Sequence, residues 1–200
     1  MKVARVLSVL LHPIFMPLAG TFILLTFGGW LVLMPPVAKT YIYVVIGIAT
    51  LAIPAAIMPL LLYGRVISDL YLSRTEERRI PLLIMAFLYL ATAFVLQKAQ
   101  VPGVIGVFMN GSSLIVLACA ILSWRWKISN HMAGLGGVAG MVLAISLHWM
   151  LNLGWLLAIL FMIAGIAGYA RLRMGHHTPA QVYYGYLLGF FINFLLMRLI

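Results

Sequence analysis

The chain has 200 residues, of which 65% are hydrophobic and only 8% are charged, and its mean hydropathy is +1.14. This composition excludes a soluble globular domain and indicates an integral membrane protein that lies in a lipid bilayer. The formal net charge of +10 favours anionic ligands, but the basic residues are scattered among short loops, which excludes a nucleic acid as the partner.

The N-terminal stretch MKVARVLSVLLHPIFMPLAG begins with basic residues, as a signal peptide does. His12, Pro13 and Pro17 interrupt its apolar region, however, and no small-residue cleavage site follows. We therefore expect a retained first helix. The single cysteine, Cys119, lies inside an apolar run, so we expect no disulfide framework and interpret Cys119 as a small buried hydrophobe.

Hydropathy predicts seven membrane spans, or six if the first one does not cross the bilayer. Because lipid offers no hydrogen bonds, each span must be an α-helix that satisfies its own backbone. We therefore expect an all-α fold, a polytopic transmembrane helical bundle, in which residues 1–200 form a single integral membrane domain. The predicted spans cover about residues 13–33, 41–63, 81–97, 103–123, 132–151, 155–170 and 178–199.

Three connections between the spans carry most of the charge, and their sequences are YGRVISDLYLSRTEERRIP, SWRWKISNH and RLRMGHH. Two predicted spans separate the first of these connections from the second, and two more separate the second from the third. An even number of crossings returns the chain to the side that it left, so all three connections lie at the same end of the bundle. We expect their polar side chains to converge on one site there.

The first connection contains Arg74, Arg78 and Arg79 just before Pro81, which we expect at the first turn of a span. One interpretation is a positive cluster that orients the following helix in the membrane. The other is a phosphate site, because guanidinium presents a rigid fork of donors that matches phosphate oxygens and keeps its charge. The sequence leaves both interpretations open.

The second connection places Ser129 and His131 at the start of a helix rich in small residues. Ser129 fits a plain N-cap, but a helix N-terminus also directs free backbone N–H groups at an anion. In the second interpretation His131 stands where it can donate a proton to that anion. The glycines that follow predict close packing between helices.

The third connection contains Arg171 and, six residues later, His177. An imidazole acts as a nucleophile when one nitrogen is free and a partner on the other fixes the tautomer. Gln181 lies four residues after His177, on the same helical face, and is the predicted partner. His176 points about 100° away around a helix, so we treat it as a flank of the site.

No metal site or other cofactor is predicted. Zinc and magnesium sites need carboxylates or histidines at suitable spacings, and the three acidic residues, Asp69, Glu76 and Glu77, all fall in the first connection.

Taken together, the three connections resemble the type 2 phosphatidic acid phosphatase superfamily of membrane lipid phosphatases. The third motif of that family reads serine-arginine, five residues, histidine, three residues, aspartate; Arg171 and His177 match it, with Gln181 in place of the aspartate. The second motif, proline-serine-glycine-histidine, is represented by Ser129 and His131. The first motif, a basic stretch that ends in arginine and proline, is matched more loosely. The resemblance covers about residues 65–190.

The resemblance implies a membrane lipid-phosphate or isoprenoid-pyrophosphate phosphatase that works without metal through a phosphohistidine intermediate. His177 would attack phosphorus and His131 would protonate the leaving oxygen, on a phosphorylated lipid substrate. It also implies a set of residues that hold the phosphate oxygens, namely Arg74, Arg79, Arg171 and Ser129. For the location, it favours the inner membrane of a bacterium, with the site on the outer face, whereas the positive-inside rule favours the cytoplasmic face.

Gln181 carries no charge to stabilise an imidazolium, so whether the chain is an active enzyme stays open. The alternative function is a catalytically impaired relative that binds or transports phosphorylated lipids. A helical-bundle isoprenoid transferase also handles pyrophosphate, but it needs two aspartate-rich magnesium motifs that three acidic residues in one connection cannot make.

Overall fold

The structure, a computed structural model, describes residues 2–69 and 75–199 and the side chains from residue 6 onward within those ranges. All of the regular structure in these residues is helical, and it contains nine α-helices. In chain order they are α1 (Lys2–Leu10), α2 (Met16–Phe27), α3 (Pro36–Gly47), α4 (Ile53–Tyr63), α5 (Arg79–Lys98), α6 (Gly103–Leu122), α7 (Asn130–His148), α8 (Gly154–Arg173) and α9 (Pro179–Met197).

Seven helical segments of the described chain are long and apolar enough to cross a membrane, which confirms the predicted all-α transmembrane bundle. The protein is therefore an integral membrane protein. The segments are Val6–Phe27, Pro36–Tyr63, Glu76–Lys98, Gly103–Leu122, Asn130–His148, Gly154–Arg173 and Pro179–Met197.

The first segment differs from the predicted span at both of its ends. It begins before residue 13, because the chain ahead of the first proline is already helical in α1. The segment is not one continuous helix: α1 ends at Leu10, His12 is extended, and Pro13–Phe15 form a short 3-10 turn before α2. A proline has no N–H for a preceding carbonyl, so α1 becomes a separate element.

The second segment is also interrupted. A π turn at Ile48–Ala52 joins α3 to α4, and Pro59 lies inside α4. Both features are common causes of a bend in a helix. Pro54 and Pro59 face the cavity described below, so this segment forms part of the wall around the site.

The core of the bundle is α7, which is buried along most of its length and packs closely against α9. Glycine makes this approach possible. A methyl group added at Gly136 would collide with the backbone carbonyl of Tyr186, and one at Gly189 would collide with that of Ala133. The close packing predicted from the glycines is thus confirmed for this pair of helices.

Two side-chain hydrogen bonds join the remaining helices within the apolar interior. The hydroxyl of Ser113 on α6 donates to the carbonyl of Ala86 on α5 at 2.7 Å. The amide nitrogen of Asn193 on α9 donates to the carbonyl of Gly137 on α7 at 3.0 Å. Bonds of this kind fix the relative position of helices where hydrophobic burial offers no direction. These contacts hold the helices that carry the charged connections in fixed positions.

Candidate functional site

The connection between α8 and α9 is a Schellman motif that turns the chain back toward the last turn of α8. The N–H of Gly175 donates to the carbonyl of Leu172 at 3.0 Å, and the N–H of His176 donates to that of Arg171 at 3.3 Å. Gly175 has a φ of +67°, a conformation that glycine adopts without strain. The turn brings His177 beside Arg171, as the spacing predicted, and leaves His176 exposed.

Gln181 does not contact His177 and instead belongs to the N-terminal cap of α9. The hydroxyl of Thr178 accepts from the N–H of Gln181 at 3.4 Å, and the Gln181 side-chain oxygen accepts from the N–H of Thr178 at 3.1 Å. This reciprocal capping box directs the glutamine back to the helix start. The predicted role of Gln181 as the partner of the histidine is therefore wrong.

His177 is buried, and both of its ring nitrogens have partners. Its Nδ1 lies 3.0 Å from the backbone carbonyl oxygen of Lys127, and its Nε2 lies 3.1 Å from Nη2 of Arg171. A carbonyl only accepts and a guanidinium only donates, so Nδ1 carries the hydrogen and Nε2 presents a lone pair. The backbone of the second connection thus fixes the tautomer of His177, a role that the sequence predicted for Gln181.

The surroundings of His177 keep its ring neutral. Burial lowers the pKa of His177 to about 4, and the positive charges of Arg171, Arg78 and Lys127 act in the same direction, while the hydrogen bond to the Lys127 carbonyl opposes them. The pKa of the Lys127 ammonium is itself lowered, first by burial and then by Arg78 and Arg171. Three cations from three separate connections therefore act on one imidazole.

Ser129 lies at the N-cap position of α7 but does not behave as either interpretation predicted. Its side chain is fully buried, makes no capping hydrogen bond and is not part of the cavity wall. Instead, its backbone N–H donates to the carbonyl of Gln181 at 3.2 Å. Gly185 allows this contact, because a methyl group there would lie 2.8 Å from the Ser129 carbonyl oxygen. Ser129 joins two connections through its backbone, which corrects its prediction as a phosphate ligand.

His131 is buried beside the N-terminal helix, to which the sequence had assigned no role in the site. Its Nε2 lies 3.0 Å from the carbonyl oxygen and 3.3 Å from the hydroxyl of Ser8. The same hydroxyl accepts from Nη1 of Arg171 at 2.8 Å. The ring of His12 packs edge-on against that of His131, with 5.2 Å between centroids. His12, a polar residue that interrupts an apolar run at the charged end, was the signal in the sequence for this part of the site.

The arginines of the first connection separate in the structure. Arg78 is buried and lines the cavity, whereas the guanidinium of Arg79 stacks over the ring of Trp124 at 5.2 Å. Neighbouring residues of a helical turn point about 100° apart, so only one of the two faces the site. In the structure Arg78, and not the predicted Arg79, lines the cavity. Arg74, also predicted as a phosphate ligand, lies outside the described residues.

A cavity of about 1020 Å³ extends from these groups into the bundle. The polar end of its wall contains Ser8, Arg78, Lys127, His131, Arg171 and His177. The apolar part contains Pro54, Met58, Met85, Phe108, Ile115 and Val138. On α6 the wall runs from Cys119 to Phe108, a rise of about 16 Å along the helix. The cavity thus joins a cationic end to a long apolar chamber.

Comparison of the chain with protein-family models, with curated proteins and with solved structures finds no match. The site has a distinct chemistry. That chemistry consists of a neutral imidazole with a defined lone pair, a second imidazole, several cations and an apolar chamber. Such a set suits an anionic headgroup on a hydrocarbon chain.

Proposed function

We propose that the protein is a lipid-phosphate or isoprenoid-pyrophosphate phosphatase that forms a phosphohistidine on His177 without metal. The observation that carries the proposal is the tautomer of His177, whose Nε2 lone pair faces Arg171 among converging cations. A neutral imidazole is a nucleophile at physiological pH, and a cationic surround offsets the charge of a phosphoryl group.

In the first step the Nε2 lone pair of His177 forms a bond to phosphorus, and the bond from phosphorus to the lipid oxygen breaks. The N–H groups of Arg171 move from the protein oxygen and nitrogen that they now contact to the phosphoryl oxygens. Arg78 and Lys127 add charge on the same side. His131 enters this step as an imidazolium, donates its Nε2 proton to the leaving oxygen and keeps the hydrogen on Nδ1.

In the second step water attacks the phosphorus atom and the N–P bond breaks, which returns its electron pair to Nε2 of His177. His131, now without its proton, accepts one from the attacking water. Inorganic phosphate leaves, and both histidines regain their starting states.

The apolar part of the cavity provides the place for the lipid chain of the substrate. Its wall is formed by aliphatic and aromatic side chains of α4, α5 and α6, so a hydrocarbon chain loses no polar contacts when it leaves the bilayer. A phosphorylated lipid therefore places its headgroup at the histidines and its chain between the helices. In a bacterial cell we propose the inner membrane as the location.

One observation favours a second candidate function, a protein that binds or carries phosphorylated lipids without hydrolysing them. The partner of His177 Nδ1 is a backbone carbonyl, which fixes the tautomer but brings no negative charge. A carboxylate in that position stabilises the imidazolium and raises the rate by several powers of ten in comparable pairs. The site therefore favours slow turnover, and a binder is its limiting case.

The test is phosphate release from a phosphatidic acid and from a prenyl pyrophosphate by the purified protein in the presence of a chelator. We expect release by the wild type, none by His177→Ala, and an unchanged rate for His148→Ala. His148 is a matched control because it is exposed at the last turn of α7, away from the cavity. Equal release by His177→Ala and the wild type would exclude the nucleophile, and phosphate binding without release by any variant would favour the binder.

The two neighbouring arginines give a second prediction for the same site. We expect Arg78→Gln to weaken the binding of inorganic phosphate by about tenfold or more, because it removes a charge from the cavity wall. Arg79→Gln should change the affinity by less than about twofold, since that guanidinium stacks on Trp124. Isothermal titration with phosphate measures both, and thermal unfolding of each variant shows whether it is folded. A larger loss for Arg79→Gln would contradict the assignment.

A further inference from the structure

The N-terminal helix α1 contributes two oxygen atoms to the polar end of the cavity, both from Ser8. The hydroxyl oxygen lies 2.8 Å from Nη1 of Arg171 and 3.3 Å from Nε2 of His131. The carbonyl oxygen lies 3.0 Å from the same nitrogen of His131. Ser8 is half-buried and is part of the cavity wall.

The donors in these contacts follow from the chemistry of the partners. A guanidinium only donates, so the Ser8 hydroxyl accepts from Arg171. A carbonyl only accepts, so Nε2 of His131 carries a hydrogen and donates it to Ser8. These are the N–H groups that the proposed function assigns to a phosphoryl oxygen and to the leaving oxygen. Phosphate oxygens take up hydrogen-bond distances of the same size, so they would occupy the positions of the Ser8 oxygens.

We propose that α1 competes with the phosphoryl group for Arg171 and His131, so that a lipid headgroup binds when the Ser8 oxygens leave these donors. The inference rests on the proposed function for the identity of the anion. The Ser8 oxygens are neutral, whereas a phosphate group carries negative charge and can form a bidentate ion pair with the Arg171 guanidinium. The anion therefore wins the competition, and its apparent affinity falls by the fraction of molecules in which α1 is closed.

The construction of α1 suits a part that moves. Its apolar side chains at Val6, Val9 and Leu10 are each more than half exposed on the protein surface, where they would meet lipid, so they pack only in part against the other helices. The helix ends at Leu10, and its last α-helical hydrogen bond runs from the N–H of Leu11 to the carbonyl of Leu7 at 2.9 Å, so the ladder stops before Pro13 begins the next turn. His12 lies within this break and packs edge-on against His131, which holds the chain between α1 and α2 against α7.

The first test is the affinity of the purified full-length protein for inorganic phosphate and orthovanadate. Ser8→Ala removes one of the two competing oxygens, and we expect it to bind both anions about three- to tenfold more tightly. Ser112→Ala is the control, because that hydroxyl also lines the cavity but donates to Phe108 within its own helix at 2.9 Å. Weaker binding by Ser8→Ala would make Ser8 a phosphate ligand and would overturn the competition, as would unchanged binding.

The second test follows the position of α1 directly, by thiol labelling of Ser8→Cys in a Cys119→Ser background. Cys119 is the one cysteine of the chain, so its removal leaves position 8 as the single thiol. We expect orthovanadate to increase the rate of labelling at position 8 and to leave that of Val6→Cys unchanged, since Val6 is not part of the cavity wall. A slower rate with orthovanadate would mean that the anion binds beneath a closed helix, and the inference would be wrong.

The failure of this inference is distinguishable from failure of the proposed function. If no lipid phosphate is hydrolysed but Ser8→Ala binds phosphate more tightly, the competition stands and the enzyme does not. A second outcome is that the wild type releases phosphate while His177→Ala does not. If Ser8→Ala then binds phosphate no more tightly and orthovanadate does not speed labelling of Ser8→Cys, the proposed enzyme is supported and the competition is wrong. Absence of phosphate binding in every variant would overturn the competition.

Discussion

Arg171 uses both terminal nitrogens of one guanidinium within the site. Nη1 donates to the Ser8 hydroxyl, and Nη2 donates to Nε2 of His177. The lone pair that would attack phosphorus is thus held by the residue that would bind the phosphate oxygens. In the proposed mechanism, one rotation of the guanidinium toward a bound anion would free Nε2 of His177 and would also bring N–H donors to the anion. In this mechanism Arg171 would therefore couple phosphate binding to the activation of His177.

The pKa of His177 gives a prediction of pH dependence at the scale of this residue. The neutral ring is the nucleophile, and burial lowers its pKa to about 4, so the acid limb of kcat/KM that belongs to His177 should lie near pH 4. Activity on that limb is complete above the pKa and is lost as the pH falls through it. Titration of the ring by NMR measures the same midpoint, against an ordinary value of about 6.5.

A matched variant separates the causes of this low pKa. Arg171→Gln removes a positive neighbour, so the midpoint of His177 should move upward while burial still holds it down. A wild-type midpoint near 6.5 would contradict the buried, neutral ring on which the mechanism depends.

At the scale of elements, the backbone contact between α7 and α9 sets the geometry of the site, because α7 begins at the second connection and α9 at the third. The N–H of Ser129 donates to the carbonyl of Gln181 where the two helices start. Glycines along both helices maintain the contact farther into the membrane. A change in the distance between these helices would therefore move His131 relative to His177.

This packing predicts a contrast between two substitutions of glycine by alanine. Gly136→Ala places a methyl group against the Tyr186 carbonyl and should lower the free energy of unfolding by about 3 kcal/mol. Gly165→Ala adds its methyl group in open space on α8 and should be neutral or should stabilise the helix by up to about 1 kcal/mol. Denaturant unfolding in detergent micelles measures both. Equal stability of the two variants would show that the helices do not approach through the backbone.

Sequence reasoning predicted the spans well because the thickness of the bilayer fixes their length, and it placed the three connections by counting crossings. It also brought Arg171 to His177, because the loop between them is short. It did not predict the contact of Gln181, although Thr178 and Gln181 have the spacing of a capping box. The Gln181 amide had two possible partners, the His177 ring and the nearby backbone of Thr178, and it bonds to Thr178.

Other parts of the site had no local signal. The choice between Arg78 and Arg79 depends on where the helical turn begins, and a shift of one residue changes which one faces the cavity. Ser8 is an ordinary residue of a short helix, and only the packing of α1 at the polar end gives its oxygens a partner. Contacts between distant segments of this kind follow from the tertiary fold alone.

At the scale of the whole molecule, the number of spans predicts the side on which each connection lies. α6 separates Lys98 from Arg125, so cysteines introduced there in a Cys119→Ser background should be labelled from opposite sides of the membrane. An impermeant maleimide applied to intact cells and to inverted vesicles measures this. The accessible side for Arg125→Cys also gives the side of the site. Labelling of both positions from one side would contradict the crossing by α6.

Much of the support for the two histidines comes from main-chain oxygen atoms, those of Lys127 for His177 and of Ser8 for His131. Every amino acid brings the same carbonyl, so replacing the side chain at position 127 leaves the tautomer of His177 in place. A scan of single substitutions would therefore report only the loss of the Lys127 ammonium and would miss the peptide group that orients the nucleophile. The dependence becomes visible only when the path of the chain itself is altered, by an inserted or a deleted residue.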